Sequence, residues 1–256
     1  MSHPRAEEFR ADIVATSHRL HALGWVANHD GNLSARLQGD HLLCTPTAVS
    51  KGDVQPGWLI VVDGENKVVE GSRRAFSELQ LHRAAYEGRP DISVVIHAHP
   101  PVSCAFAVVG EPIPHPMMAE PVVSLGPEIP MVPYHRPGDP ALSSAIGEAL
   151  SRADVLLLER HGLLAVGGSF EQAFLRLELV EHQARIAMYA KTIGDVRRLP
   201  QAEVDALCKK GRPASSPLRV PDATDRADSL SAVSGVASTT PADVSGLVSQ
   251  ALKRFS

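Results

Sequence analysis

In the stretch V-V-I-H-A-H-P-P at 94–101, His97 and His99 stand two residues apart at the end of an apolar, β-branched run. Such a run makes a buried strand, and the two-residue strand period turns both imidazoles to one face. Two neutral imidazoles aimed at one point suit a borderline divalent cation. A catalytic zinc site adds a third protein ligand and leaves a position open for substrate. Of the twelve histidines, His161 in E-R-H-G-L-L-A-V-G is the best third candidate, since it follows an apolar strand at 155–158 and sits in a tight His-Gly turn. His115 and His135 lie in proline-rich loops and rank below it. An H-x-H pair also occurs as an ordinary polar strand ending, so the pair by itself leaves both readings open.

These histidines need a sheet to converge. Segments 32–37, 42–45, 59–62 and 67–70 alternate or are rich in β-formers, with an Asp63-Gly64 turn between the last two, which predicts an antiparallel meander. Further strands are predicted at 155–159 and 163–166. A first helix is predicted over 7–23, with Phe9, Ile13, Leu20 and Leu23 on one face and Gly24 as its stop. Helices follow at 77–87, 102–108 and 141–151. A long one at 169–193 opens on the capping-box pattern S-F-E-Q and carries an apolar stripe through Ala173, Leu177, Val180, Ala184 and Ala187. The region from 109 to 140 reads as proline-punctuated loop. Strands and helices without strict β-α-β alternation predict an α/β sandwich whose sheet is largely antiparallel.

The 256 residues, 44% of them apolar, are ample for a packed core. A formal net charge of −4 and the lack of a basic stripe with interleaved aromatics argue against nucleic acid as a partner. An anionic substrate would have to be met by local groups. Cys44, Cys104 and Cys208 are widely spaced and form no C-x-x-C, so neither a disulfide framework nor a structural zinc cluster is expected, and a reducing cytoplasm fits. The first residues lack the form of a signal peptide and no run is apolar enough to span a bilayer, so a soluble intracellular chain is expected.

Five motifs then fall into one pattern: D-G-N-L-S at 30–34, T-P-T at 45–47, S-E-L at 77–79, H-A-H-P-P at 97–101 and R-H-G at 160–162. Their order and spacing, from about residue 5 to 195, resemble the class II aldolase/adducin family of metal-dependent sugar-phosphate aldolases, and within it most nearly the L-fuculose-1-phosphate aldolases. The resemblance implies a three-layer α/β/α sandwich over 1–198 and a homotetramer. It implies one divalent ion, most readily Zn2+, held by His97, His99 and His161, with Glu78 as the proton-transfer residue. Asn32, Thr47, Ala48 and Ser77 would hold the phosphate of a ketose 1-phosphate, which is cleaved to dihydroxyacetone phosphate and an aldehyde, lactaldehyde if the sugar is a 6-deoxyketose. Each residue also has a local reading: Gly31-Asn32 as a turn, Thr47 as a loop cap, Ser77 as an N-cap, Glu78 as a first-turn carboxylate favoured by the helix dipole.

Three positions depart from the family pattern. Ala48 stands where Gly is usual, and Phe76 stands where a second Ser is usual, so the phosphate pocket is expected to lack one hydroxyl. The loop I-P-H-P-M-M-A-E at 113–120 lacks the acid-supplying tyrosine, leaving His115 or Glu120 as substitutes. Metal-dependent decarboxylases of the same family remain a rival reading. Epimerases fit less well, because they resemble this pattern with Asp in place of Glu78. A non-catalytic, adducin-like interaction domain would not need the histidines.

Beyond the catalytic region, 199–241 reads as a flexible Ser/Pro/Ala-rich linker. At 242–256, Val244, Leu247, Val248, Ala251, Leu252 and Phe255 make one apolar stripe on a short helix. A linker followed by such a helix is similar to the encapsulation peptides that bind shell proteins of bacterial microcompartments. The alternative is a helix that folds back on its own core.

Overall fold

The computed structural model describes residues 6–136 and 138–210. Eight strands form one sheet: β1 (Asn32–Arg36), β2 (Leu42–Cys44), β3 (Ile60–Val62), β4 (Val68–Glu70), β5 (Val94–Ala98), β6 (Met131–Val132), β7 (Val155–Leu158) and β8 (Leu163–Gly167). Their order is β4-β3-β2-β1-β5-β8-β7-β6, and every pair is antiparallel except β6 with β7. The expected meander is β1 to β4. The strand carrying His97 is inserted between its inner edge and β8, so the histidine strand is central and paired on both sides.

Strand alternation sorts the core into two layers. Leu33, Ala35, Val94, Ile96, Leu163 and Ala165 pack against α1 (Ala6–Ala22), α3 (Pro101–Val109) and the long α6 (Phe170–Ile193). Val95, Leu164, Val166 and Leu156 point the other way, against α2 (Leu79–Gly88) and α5 (Pro140–Leu150). The result is the three-layer α/β/α sandwich with a largely antiparallel central sheet. Helix ends follow their sequence signals. Gly24, at φ 68°, ends α1, and Leu23, Gly24 and Trp25 donate to carbonyls of its last turns. Ser169 Oγ accepts from Gln172 N, and Gln172 Oε1 accepts from Gly168 N, so the first turn of α6 is closed reciprocally.

Two expectations need correction. The region 109–140 is not all loop: it contains α4 (Ala119–Leu125) and β6. Pro121 falls in the first turn of α4, where no backbone N–H is needed, so this proline does not exclude a helix. The flexible linker does not begin at 199 either, since Gln201–Lys210 forms α7, whose Val204 is buried against the body of the domain while Leu199 N bonds to Pro116 O. Residues 201–210 are good helix formers, and the Ser/Pro/Ala composition starts only at 211. The rest of the expected linker, the helix at 242–256 and its binding to a shell lie outside the described residues. Among those described, no helix is long and apolar enough to cross a membrane.

Candidate active site

Three histidines converge at the end of the inner strands of the sheet. His97 is the fourth residue of β5, fully buried, and pairs across to Asn32 on one side and Leu164 on the other. His99 follows the strand and is pinned by its own N–H to Trp25 O. His161 sits in the β7–β8 hairpin, where Leu158 and Gly162 close the turn and Cys104 of α3 bonds to the His161 carbonyl. Nε2 of His97 lies 3.0 Å from Nε2 of His99 and 3.2 Å from Nε2 of His161. The ligand atoms of all three lie within 4.8 Å of one another. Nitrogens bound to one tetrahedral zinc would stand about 3.3 Å apart, given metal–nitrogen bonds of about 2.0–2.1 Å.

The other ring nitrogens fix which lone pairs point inward. His97 Nδ1 donates to Leu163 O at 2.9 Å and His99 Nδ1 donates to Asp30 Oδ2 at 2.9 Å, so each Nε2 is left bare and aimed at the common point. Asp30 is itself held by the N–H of Ala27. Burial lowers the pKa of His97 well below the usual histidine range, against the opposing pull of Glu78, which keeps it neutral as a ligand must be. The donor set therefore fits a divalent cation.

Two tight backbone features allow this approach. A Cβ on Gly162 would lie 2.5 Å from His99 Cδ2 and 2.6 Å from Ala98 O, so no larger residue fits beneath the imidazoles. Arg160, just before His161, has φ 59°, a left-handed conformation that costs a non-glycine residue energy and is tolerated at sites that need it.

Glu78 occupies the N-cap position of α2 beside this cluster, and its side chain makes no capping bond. Its Oε1 is 2.8 Å from His161 Nε2, and its Oε2 is 3.7 Å from His97 Nε2 and accepts from Asn32 Nδ2 at 2.7 Å. Burial raises its pKa, but the hydrogen bonds of His161 and Asn32 and the field of His97 outweigh that and hold the carboxyl well below the usual carboxylate range. An ionised carboxylate is thus placed against the open side of the histidine cluster. His161 and His99 are partly exposed, so a small molecule reaches this side.

The residues assigned to phosphate are less tightly gathered. Thr47 is half-buried and donates its N–H to Arg74 O, Ala48 is exposed, and Ser77 is exposed just before α2. Ala48 has φ 58°, which explains why glycine suits this position. Asn32 is buried and its amide is committed at both ends, to Glu78 and to His82, with one N–H left over. Phe76 is buried in the α2 layer with its ring 5.0 Å from that of His82. His115 is also a packing residue. Its Nε2 donates to Gly126 O and its Nδ1 accepts from Gln183, so both ring nitrogens are spent within its own neighbourhood. Glu120 lies exposed in the first turn of α4.

Three residues escaped sequence reading. Asp30 supports His99. Lys51 is buried, donates to His29 O and Val49 O, and has its pKa pushed down by burial to about 8 against the pull of Asp30 and Glu78. His82 is fully buried behind Asn32. Its signal was present, for it follows Glu78 by four residues and so shares its helix face.

The model of the Class II Aldolase and Adducin N-terminal domain matches residues 11–188. The chain belongs to the class II aldolase/adducin family. Among its relatives, a 5-methylthioribulose-1-phosphate/5-deoxyribulose-1-phosphate aldolase of Escherichia coli is 32% identical over 77% of this chain and 92% of its own length. An L-fuculose phosphate aldolase of the same species is 32% identical over 77% and 91%. A 3-oxo-tetronate 4-phosphate decarboxylase of Cupriavidus necator is 31% identical over 72% and 85%. The solved structure of an L-fuculose 1-phosphate aldolase superposes with a TM-score of 0.72 at 26% identity, covering 79% of this chain and 95% of that one. These relatives share the family and are named for sugar-phosphate lyases of more than one specificity.

Proposed function

We propose that the chain is a divalent-metal-dependent aldehyde-lyase that cleaves a ketose 1-phosphate of the L-fuculose, L-rhamnulose or 5-deoxyribulose type to dihydroxyacetone phosphate and a short aldehyde. The observation that carries this reading is the convergence of the Nε2 atoms of His97, His99 and His161, with the carboxylate of Glu78 2.8 Å from that of His161. His97, His99 and His161 would hold the ion, most readily Zn2+, which when bound supplies Lewis acidity to the ketose carbonyl and hydroxyl oxygens.

The remaining chemistry belongs to side chains of this protein. Cleavage of the C3–C4 bond needs a proton taken from the C4 hydroxyl and a proton returned to the carbon left behind. Glu78 can carry the second proton at Oε1, because that oxygen is turned to the histidine cluster while Oε2 is tied to Asn32. Thr47, the N–H of Ala48, the hydroxyl of Ser77 and the spare N–H of Asn32 are the groups assigned to the phosphate, at the positive end of α2. The carboxyl of Asp30 keeps His99 in the tautomer that leaves Nε2 free.

The test is an aldol-cleavage assay with L-fuculose, L-rhamnulose and 5-deoxy-D-ribulose 1-phosphates and coupled detection of dihydroxyacetone phosphate. Turnover that a chelator removes and zinc restores supports the reading. The Cupriavidus necator relative favours one alternative, decarboxylation of a 3-oxo acid phosphate at the same centre. Carbon dioxide release without dihydroxyacetone phosphate would select it.

A further inference from the structure

Behind Glu78 a line of buried polar groups runs into the α2 layer and ends there. Asn32 Nδ2 is 2.7 Å from Glu78 Oε2, Asn32 Oδ1 is 2.6 Å from His82 Nε2, His82 Nδ1 is 2.6 Å from Ser34 Oγ, and Ser34 Oγ is 2.9 Å from Tyr86 OH. His82 and Ser34 are fully buried, Asn32 and Tyr86 almost so, and the Phe76 ring packs on His82. The secondary structure sets this line up: Asn32 and Ser34 alternate on one face of β1, while Glu78, His82 and Tyr86 recur every four residues along one face of α2.

Donor counting gives the line one direction. An ionised carboxylate only accepts, so the Asn32 atom facing Glu78 is its NH2 group and the atom facing His82 is its carbonyl oxygen. His82 must then donate through Nε2–H, which leaves Nδ1 bare to accept from the Ser34 hydroxyl. The Tyr86 hydroxyl closes the line: it lies 2.9 Å from Ser34 Oγ and 2.9 Å from Ser34 O, and its single hydrogen is shared between these two acceptors. No member is left without a partner. Burial pushes the His82 pKa down to about 3, against the pull of Glu78, so the ring is neutral and can act as donor on one side and acceptor on the other.

We propose that His82 is a positioning residue for the proposed proton transfer: held by Ser34 and Tyr86, it anchors the Asn32 amide with NH2 toward Glu78 and so keeps Oε2 tied while Oε1 is turned to the histidine cluster. Without His82 the Asn32 carbonyl oxygen loses its buried donor, and the amide that holds Glu78 Oε2 is anchored from one side only. Phe76 shields the ring from water that would satisfy either orientation. The proposal rests on the proton-transfer role assigned to Glu78, but its structural half does not depend on which substrate is cleaved.

Two measurements on the zinc-loaded full chain test it. In protein labelled with 15N-histidine, the resonance lost in His82→Gln identifies His82. A neutral ring protonated at Nε2 and bare at Nδ1 is expected, whereas a proton on Nδ1, or an imidazolium at neutral pH, overturns the proposal whatever the substrate. With the ketose 1-phosphate that the chain turns over, His82→Leu should lower kcat about 10–100-fold, leaving KM within a few-fold and metal content unchanged. His82→Gln, which restores an N–H toward Asn32, should recover most of that loss. Equal kcat in the Leu and Gln variants, or loss through KM or metal content alone, overturns the positioning role.

Discussion

The two faces of β1 and β5 show the same backbone serving opposite purposes. Toward α6, Leu33, Ala35, Val94, Ile96 and Ala98 form an unbroken apolar surface. Toward α2, the same two strands present Asn32, Ser34 and His97, each buried and each hydrogen-bonded. The first face contributes hydrophobic free energy and tolerates changes of shape at a cost in stability alone. The second contributes little burial energy, and a single lost partner there leaves a desolvated polar group and a disordered site. Register is what keeps them separate, because a slip of one residue would exchange the faces.

The division between faces can be broken deliberately, with effects that fall in order. On the polar face, His99→Ala removes a ligand and should abolish both stoichiometric metal and turnover, measured by elemental analysis after dialysis and by the cleavage assay. Gly162→Ala should do the same without replacing a ligand, because its Cβ would overlap His99 and the Ala98 carbonyl. Glu78→Gln should keep the metal and lose about 10²–10⁴-fold in kcat, since the amide keeps the shape but cannot exchange a proton. On the apolar face, Leu33→Ala should cost about 2–5 kcal/mol in denaturant unfolding while turnover per folded molecule stays near that of the parent.

The next effect concerns pH. His82 has a folded pKa of about 3 against an ordinary value of 6.5. As pH falls below 6.5 the unfolded chain binds a proton that the native state refuses, so this stabilising contribution is complete above 6.5 and is lost progressively toward pH 3. The slope is about 1.4 kcal/mol per pH unit. Urea unfolding of the wild type and of His82→Gln across that range should show the variant losing less stability on acidification, and parallel curves would count against a neutral buried ring. The smallest effect is at Ala48, where relief of the left-handed backbone in Ala48→Gly should raise stability by no more than about 1 kcal/mol.

Local signals account for what the sequence disclosed. The period of two at 94–99, the apolar strand before R-H-G and the serine cap at 169 are each set by neighbours in the chain, and the structure brings His97, His99 and His161 together where they point. The elements that sequence reading missed depend on distant partners. The two residues of β6 become a strand only by pairing with β7, and α7 is fixed by Val204 packing on the domain and by the contact of Leu199 with Pro116. The same holds for the site. Phe76 reads only as a lost hydroxyl until its ring is also seen on His82, and Asp30 reads only as the start of D-G-N-L-S until its carboxyl is seen on His99. The pairing of Glu78 with His82 needed no long-range contact, only the four-residue helical repeat.

X-ray absorption at the zinc edge of the metal-loaded full chain tests the central claim most directly. The account predicts a nitrogen and oxygen shell at about 2.0–2.1 Å with the scattering signature of three imidazoles, and loss of one imidazole in His161→Ala. A sulfur shell at about 2.3 Å, or a spectrum unchanged by that substitution, would place the metal elsewhere and contradict it.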